Sequence, residues 1–137
     1  MSKALIMLKP DGVGLHLDVE LEDLLRVSGL RVVERKKVRL TEQTIRKLYG
    51  KYQERWFFDE LIVYLTSDNC LLYICEGKDA FRKVKEICGN SYDGTGIRGK
   101  YSSHRLEDPS GRVVLMKNVV HVSDSCDFNR EYELLKA

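Results

Sequence analysis

Ala4-Leu5-Ile6-Met7-Leu8-Lys9-Pro10-Asp11-Gly12 is the stretch on which the fold turns. An unbroken apolar run from Ala4 to Leu8 is the signature of a buried central strand. Lys9-Pro10-Asp11-Gly12 then ends it, because proline cannot continue the ladder and Asp-Gly favours a turn.

Working outward, Leu17, Leu21, Leu24 and Leu25 recur at helical spacing, and Gly29 supplies the stop. From Leu30 to Leu40, Val32, Val38 and Leu40 alternate with Arg31, Lys37 and Arg39, predicting a strand with one wet face. Thr41 is placed to cap a helix reaching Tyr49, and Phe58, Leu61, Ile62 and Leu65 line a second one. Cys70 to Cys75 reads as another buried strand, and Phe81, Val84, Ile87 and Cys88 as a helical face closed by Gly89. The glycine-rich stretch from Asn90 to Arg112 reads as a long loop, of the kind that is usually functional. Val113–Met116 and Val119–Val122 are strand-like, and a last helix runs from about Asp127 to Leu135. The order of elements predicts an α+β, ferredoxin-like βαββαβ fold, an antiparallel sheet with helices on one face.

The chain has 137 residues, so it is expected to form a single domain over 1–137. Charged residues make up 32% and the net charge is only +2, which argues against a polyanion-coating, nucleic-acid-binding protein. No apolar run approaches the roughly 18 residues that span a bilayer, and the first residues do not read as a secretory signal. Cys70, Cys75, Cys88 and Cys126 form no C-x-x-C pair, and His16, His104 and His121 are scattered. That spacing predicts a reduced, cytoplasmic chain without a zinc or disulfide framework.

Two segments invite chemistry. Gly94-Thr95-Gly96-Ile97-Arg98-Gly99 spells G-x-G-x-x-G, but the dinucleotide motif needs a strand before it and sits in a βαβ unit that is missing here. Asn118-Val119-Val120-His121-Val122-Ser123-Asp124-Ser125 places an imidazole at the end of an apolar strand among short polar side chains. Taken alone, it reads as a partly buried histidine satisfied by hydroxyls. A Ser-His-Asp triad fails, because neighbours in one strand cannot converge as nucleophile, base and orienter.

This segment, together with Lys9-Pro10-Asp11-Gly12, resembles the nucleoside diphosphate kinase family, whose matching stretch reads N-x-x-H-G-S-D-S. Tyr49, Phe57-Phe58, Gly77, Gly89, Ile97-Arg98-Gly99 and Glu131 continue the resemblance in order along nearly the whole chain. It implies a kinase that passes the γ-phosphate of ATP or another nucleoside triphosphate to a nucleoside diphosphate, with His121 as the phosphate-accepting nucleophile. Glu131 would hold the other ring nitrogen protonated, directly or through Ser123. Lys9 and Arg98 would face the transferring phosphoryl, and Lys85 and Ser91 the β-phosphate. Asn118 and Lys9 would meet the ribose hydroxyls, and Tyr49 would orient Lys9. Phe57, off the apolar stripe that carries Phe58, would stack on the base from the surface, with Leu115 as the opposing wall. Mg²⁺ would arrive with the nucleotide and not in a protein cage, with Asp124 reaching it through water.

The chain departs from the family's pattern in several places. Val122 stands where the family has glycine and Lys85 where it has arginine, and a point charge loses the bidentate phosphate fork. The segment from Gly89 to Arg98 is shorter than usual, and that from Arg98 to Asn118 is longer by Ser102–Arg112. The family is usually homo-oligomeric, so a homo-oligomer is expected. The rival reading is a non-catalytic nucleotide-binding or assembly domain of the same fold.

Overall fold

The computed structural model describes residues 2–90, 93–103, 105–107, 109–111 and 113–136, the side chains of 105, 106 and 113–116 excepted. The opening run forms β1 (Ser2–Leu8), and its last five residues are buried. β1 pairs antiparallel with β3 (Cys70–Gly77) on one side and with β6 (Val120–Val122) on the other. β2 (Arg31–Val38) pairs antiparallel with β3, so the sheet order is β2-β3-β1-β6. This is the expected four-stranded antiparallel α+β sheet.

Alternation along β1 sends its side chains into two cores. Ala4, Ile6 and Leu8 join Leu21, Leu25, Tyr73 and Val84, under α2 (Leu17–Val27) and α5 (Ala80–Cys88). Leu5 and Met7 join Ile45, Phe58, Leu61, Leu65 and Leu135 on the opposite face. That face carries α3 (Glu42–Leu48), α4 (Phe58–Thr66) and α7 (Phe128–Leu135). Helices were expected on one face and cover both. The reason is in β1, whose apolar residues do not alternate with polar ones, so neither face can be left wet.

Local signals explain most element ends. The Thr41 hydroxyl accepts from the Thr44 amide at 3.1 Å, capping α3 as predicted. Gly89, at φ 69°, ends α5. Two stretches differ from the sequence reading. Pro10-Asp11-Gly12 is not a simple turn but opens a short helix, α1 (Pro10–Gly14), with Pro10 at its start, where a missing N–H costs nothing. The expected loop 90–112 holds α6 (Gly96–Tyr101) and β4 (Arg105–Glu107), which pairs with β5 (Val113–Met116) in a separate hairpin.

Two glycines of that stretch, Gly96 and Gly99, permit close contact, and Gly96 also takes a positive φ of 61°. A Cβ on Gly96 would lie 2.6 Å from the Gly89 backbone, and one on Gly99 would lie 2.0 Å from the carbonyl carbon of Gly94. The G-x-G-x-x-G spelling therefore records close packing of α6 on the end of α5, not a cradle for a cofactor.

Candidate active site

β6 is short, but its pairing with β1 fixes the site, since Met7 lies opposite His121 and Leu8 opposite Val120. One residue beyond β1, Lys9 is pinned at three points. Its N–H donates to the Val119 carbonyl at 2.8 Å, its carbonyl accepts from Val13 N at 3.0 Å, and its Nζ donates to Asn118 Oδ1 at 2.8 Å. The acceptor turn is unusual. Val119 is fully buried at φ 65°, and the Val120 amide donates to the Asn118 carbonyl at 2.8 Å across it, forming a γ-turn of the strained, positive-φ kind. Gly12 makes room for it, because a Cβ there would sit 2.6 Å from the Val119 oxygen.

His121 and Glu131 form the second unit. His121 Nε2 and Glu131 Oε1 are 2.7 Å apart, with both side chains largely buried. Burial, aided by the Lys9 and Arg98 charges, holds the imidazole below its ordinary pKa of 6.5 against the pull of Glu131. Burial pushes the Glu131 carboxyl up, but the hydrogen bonds from His121 and Ser123 outweigh it and leave the group below its usual range. The pair at neutral pH is thus a carboxylate accepting from the Nε2–H of a neutral ring, which leaves the lone pair on Nδ1. Tyr49 packs edge-on to that ring at 5.8 Å.

Arg98 completes the charged wall. Its Nε donates to the Val120 carbonyl at 3.2 Å and its Nη1 to the Gly89 carbonyl at 3.1 Å, tying α6 to both β6 and the end of α5. Between the turn after α3 and the start of α7 lies a cleft of about 430 Å³ onto which His121, Glu131, Tyr49, Lys51 and Asp124 open. A larger hollow of about 1120 Å³ lies beside α2 and β2. Its Asp18 and Glu22 are already paired with Arg35, at 3.1 and 3.5 Å.

Of the residues singled out in the sequence, the fold brings together Lys9, Tyr49, Arg98, Asn118, His121, Ser123 and Glu131. Others fall elsewhere. Phe57 is 2% exposed, packed among Tyr52, Trp56 and the core at the start of α4, so it presents no surface for a base. The helical wheel misplaced it because Phe57 precedes the helix proper. Trp56, at 58%, is the exposed aromatic of that turn. The Tyr49 hydroxyl is buried and makes no hydrogen bond, so it does not reach Lys9, whose ammonium is held by Asn118 instead. Lys85 is exposed on α5 with its ammonium over the Phe81 ring at 5.4 Å. Ser91 and the side chain of Leu115 lie outside the described residues. Sequence reasoning missed the hydrogen bond from Tyr64 to Asp11, 2.7 Å long, beside Lys9. Its one signal was an acid two residues past a lysine.

Among the described residues, no three His, Cys, Asp or Glu side chains converge as a metal cage. Asp124 and Asp127 open onto the cleft next to His121, which suits a metal brought in by phosphates and held mainly by them.

Comparison with known proteins agrees with this geometry. The family model described as nucleoside diphosphate kinase matches residues 2–135. A nucleoside diphosphate kinase of Saccharolobus islandicus is 32% identical over 132 residues, 93% of this chain and 88% of that protein. The solved structure of a halophilic nucleoside diphosphate kinase from Halobacterium salinarum, in complex with CDP, is 30% identical with a TM-score of 0.78, covering 97% of this chain and 86% of that one. The Aquifex aeolicus nucleoside diphosphate kinase, at 26% identity, gives a TM-score of 0.77 over 97% of this chain and 93% of its own. With sequence, sheet order and the matched length in accord, the chain belongs to the nucleoside diphosphate kinase family.

Proposed function

We propose that the protein is a nucleoside diphosphate kinase that transfers the γ-phosphate of ATP or another nucleoside triphosphate to a nucleoside diphosphate through phosphorylated His121. The observation that carries this reading is the 2.7 Å contact between His121 Nε2 and Glu131, which commits one ring nitrogen and frees the other. Nδ1 attacks the γ-phosphorus, forming an N–P bond as the bond to the bridging oxygen breaks and its electron pair leaves with the diphosphate. The Nε2 proton stays on the ring, where the Glu131 carboxylate steadies the imidazolium character that develops. A second diphosphate then reverses the step in the same pocket, which splits one difficult transfer between anions into two alike.

Lys9 and Arg98 supply fixed cations for charge on the equatorial oxygens. Asn118, already bonded to Lys9, presents its amide to the ribose. The buried, unpartnered Tyr49 hydroxyl is a donor waiting for a phosphoryl oxygen. Asp124, at the cleft, would meet a water of Mg²⁺ carried in by the nucleotide, and the metal would supply shielding of the phosphate charge. Cytoplasmic residence and a homo-oligomeric state belong to the same reading, supported by the three buried free thiols and the family resemblance.

The outward placement of Lys85 favours one rival, a domain that binds nucleotide without turning it over. Incubation with γ-labelled ATP and Mg²⁺, without acceptor, separates the two. Acid-labile, base-stable label on the protein, absent from His121→Ala and discharged by CDP, is the expected result. Bound nucleotide with no label on either protein would establish the rival.

A further inference from the structure

Lys9 is 7% exposed, and among the described residues burial and the Arg98 charge work against its ammonium. Arg98 faces it from α6 and opposes its charge, while the His121 ring, neutral over the range where Lys9 titrates, faces it from β6. The Tyr64 ring of α4 lies beneath it at 5.9 Å, with Lys117 over the same ring at 5.6 Å. From β3 comes Cys70, whose thiol is pushed up to about 12 by burial and so stays neutral. Of the other acids at the cleft, Glu131 is committed to His121, and Asp124 and Asp127 open beside the imidazole. Asp11, in the first turn of α1, is left as the counter-charge. Its Oδ1 accepts from the Tyr64 hydroxyl at 2.7 Å, and its Oδ2 is buried without a hydrogen-bond partner. A buried carboxylate oxygen with no donor is costly, and the Asp11 charge favours the Lys9 ammonium, which lies over the ring of the same Tyr64.

We propose that Asp11 is a positioning residue for the transfer reaction: braced by Tyr64, it keeps Lys9 a cation aimed at Asn118 and at the transferring phosphoryl. This rests on the kinase reading above and adds a residue to it. Burial and then Arg98 bring the Lys9 pKa down to about 8, with Asp11 resisting. Lys9 is useful to a phosphoryl group only when protonated. The carboxylate therefore extends the range over which the enzyme works toward alkaline pH. Tyr64 cannot substitute, because burial and the Asp11 contact keep its hydroxyl protonated, a donor and never an anion.

The test is Asp11→Asn, which keeps an acceptor for Tyr64 and removes only the charge. Asp11→Ser, a second charge-free variant with a hydroxyl for Tyr64, carries the same expectation if the first does not fold. The Lys9 ammonium is titrated directly by NMR with lysine labelled at Cε, its signal assigned by its loss in Lys9→Arg. Its midpoint should fall by about one pH unit or more, roughly tenfold fewer cations at a given alkaline pH. The alkaline limb of kcat/KM should move down with it, the acid limb staying put. Tyr64→Phe, which keeps the charge, should leave the midpoint within a few tenths of a unit. An unmoved Lys9 midpoint in the charge-free variant overturns the role of Asp11. Because the titration needs no turnover, that result stands apart from the labelling experiment, which tests the kinase reading itself.

Discussion

Lys9 sets function against stability within one side chain. Its pKa is about 8 in the fold against 10.5 for the free group, so the folded state binds the proton less well than the unfolded chain does. Below pH 8 the fold therefore carries the whole penalty, about 3 kcal/mol at 1.36 kcal/mol per unit. The penalty fades as pH rises from 8 toward the unfolded value. Lys9→Met, of similar length and apolar, should then raise unfolding stability at pH 7 by about 1–2 kcal/mol, less than the full figure because Asn118 loses its donor. A urea melt reads the gain, and the same variant should accept no label from γ-labelled ATP. His121 shows the opposite economy. Its depressed pKa costs stability only as pH falls below the ordinary 6.5, which leaves the ring neutral at physiological pH.

The contact of α5 with α6 shows where local sequence carries meaning that periodicity cannot reveal. Gly96 has φ 61°, and a Cβ there would meet the backbone of Gly89 and Cys88, which no rotamer change can move aside. Gly96→Ala should cost at least about 2 kcal/mol in a urea melt. It should also weaken transfer, because Arg98 reaches Gly89 and Val120 only while the two helices touch. The sequence shows a glycine-rich stretch there and suggests a loop, since glycine in a helix interior normally argues against one. Here the value of Gly96 lies in the neighbour it admits, which only the fold displays. β1, β3 and the helices with Phe58 and Val84 were legible because their apolar periods are long and regular. Pro10 was ambiguous, as proline ends strands and begins helices alike. At the site, Asn118, His121, Ser123 and Glu131 were grouped by their place in one segment and the helix after it, whereas the Lys9–Asn118 bond joins residues too far apart in sequence for spacing to predict. Phe57 shows the converse limit, an aromatic beside a helix whose direction depends on how the preceding turn enters it.

Across the whole molecule, β1 is the wall shared by two cores. Leu5, fully buried, packs with α3, α4 and α7, while its neighbour Ile6 packs with α2 and α5. Neither core can loosen without exposing one side of the same strand, so unfolding should be a single transition. Leu5→Ala should cost about 2–5 kcal/mol, with circular dichroism and tyrosine absorbance reporting one coincident midpoint in urea. Separate midpoints would show that the two faces melt independently.

The pairing of Met7 with His121 has a consequence for synthesis on the ribosome. Lys9 leaves the exit tunnel well before Asn118, which holds its ammonium, and before His121 and Glu131. The hydrophobic contacts of β1 with β3 can form sooner, since they need only the chain to Gly77. A nascent chain thus passes through a stage in which much of the sheet can be paired before His121 has emerged. The strained turn at Val119 lengthens that stage, because its geometry persists only once β6 has docked and Gly12 and Lys9 are in place to receive it. The Lys9–Asn118 bond and the placing of His121 against Met7 therefore wait until β6 has docked on β1.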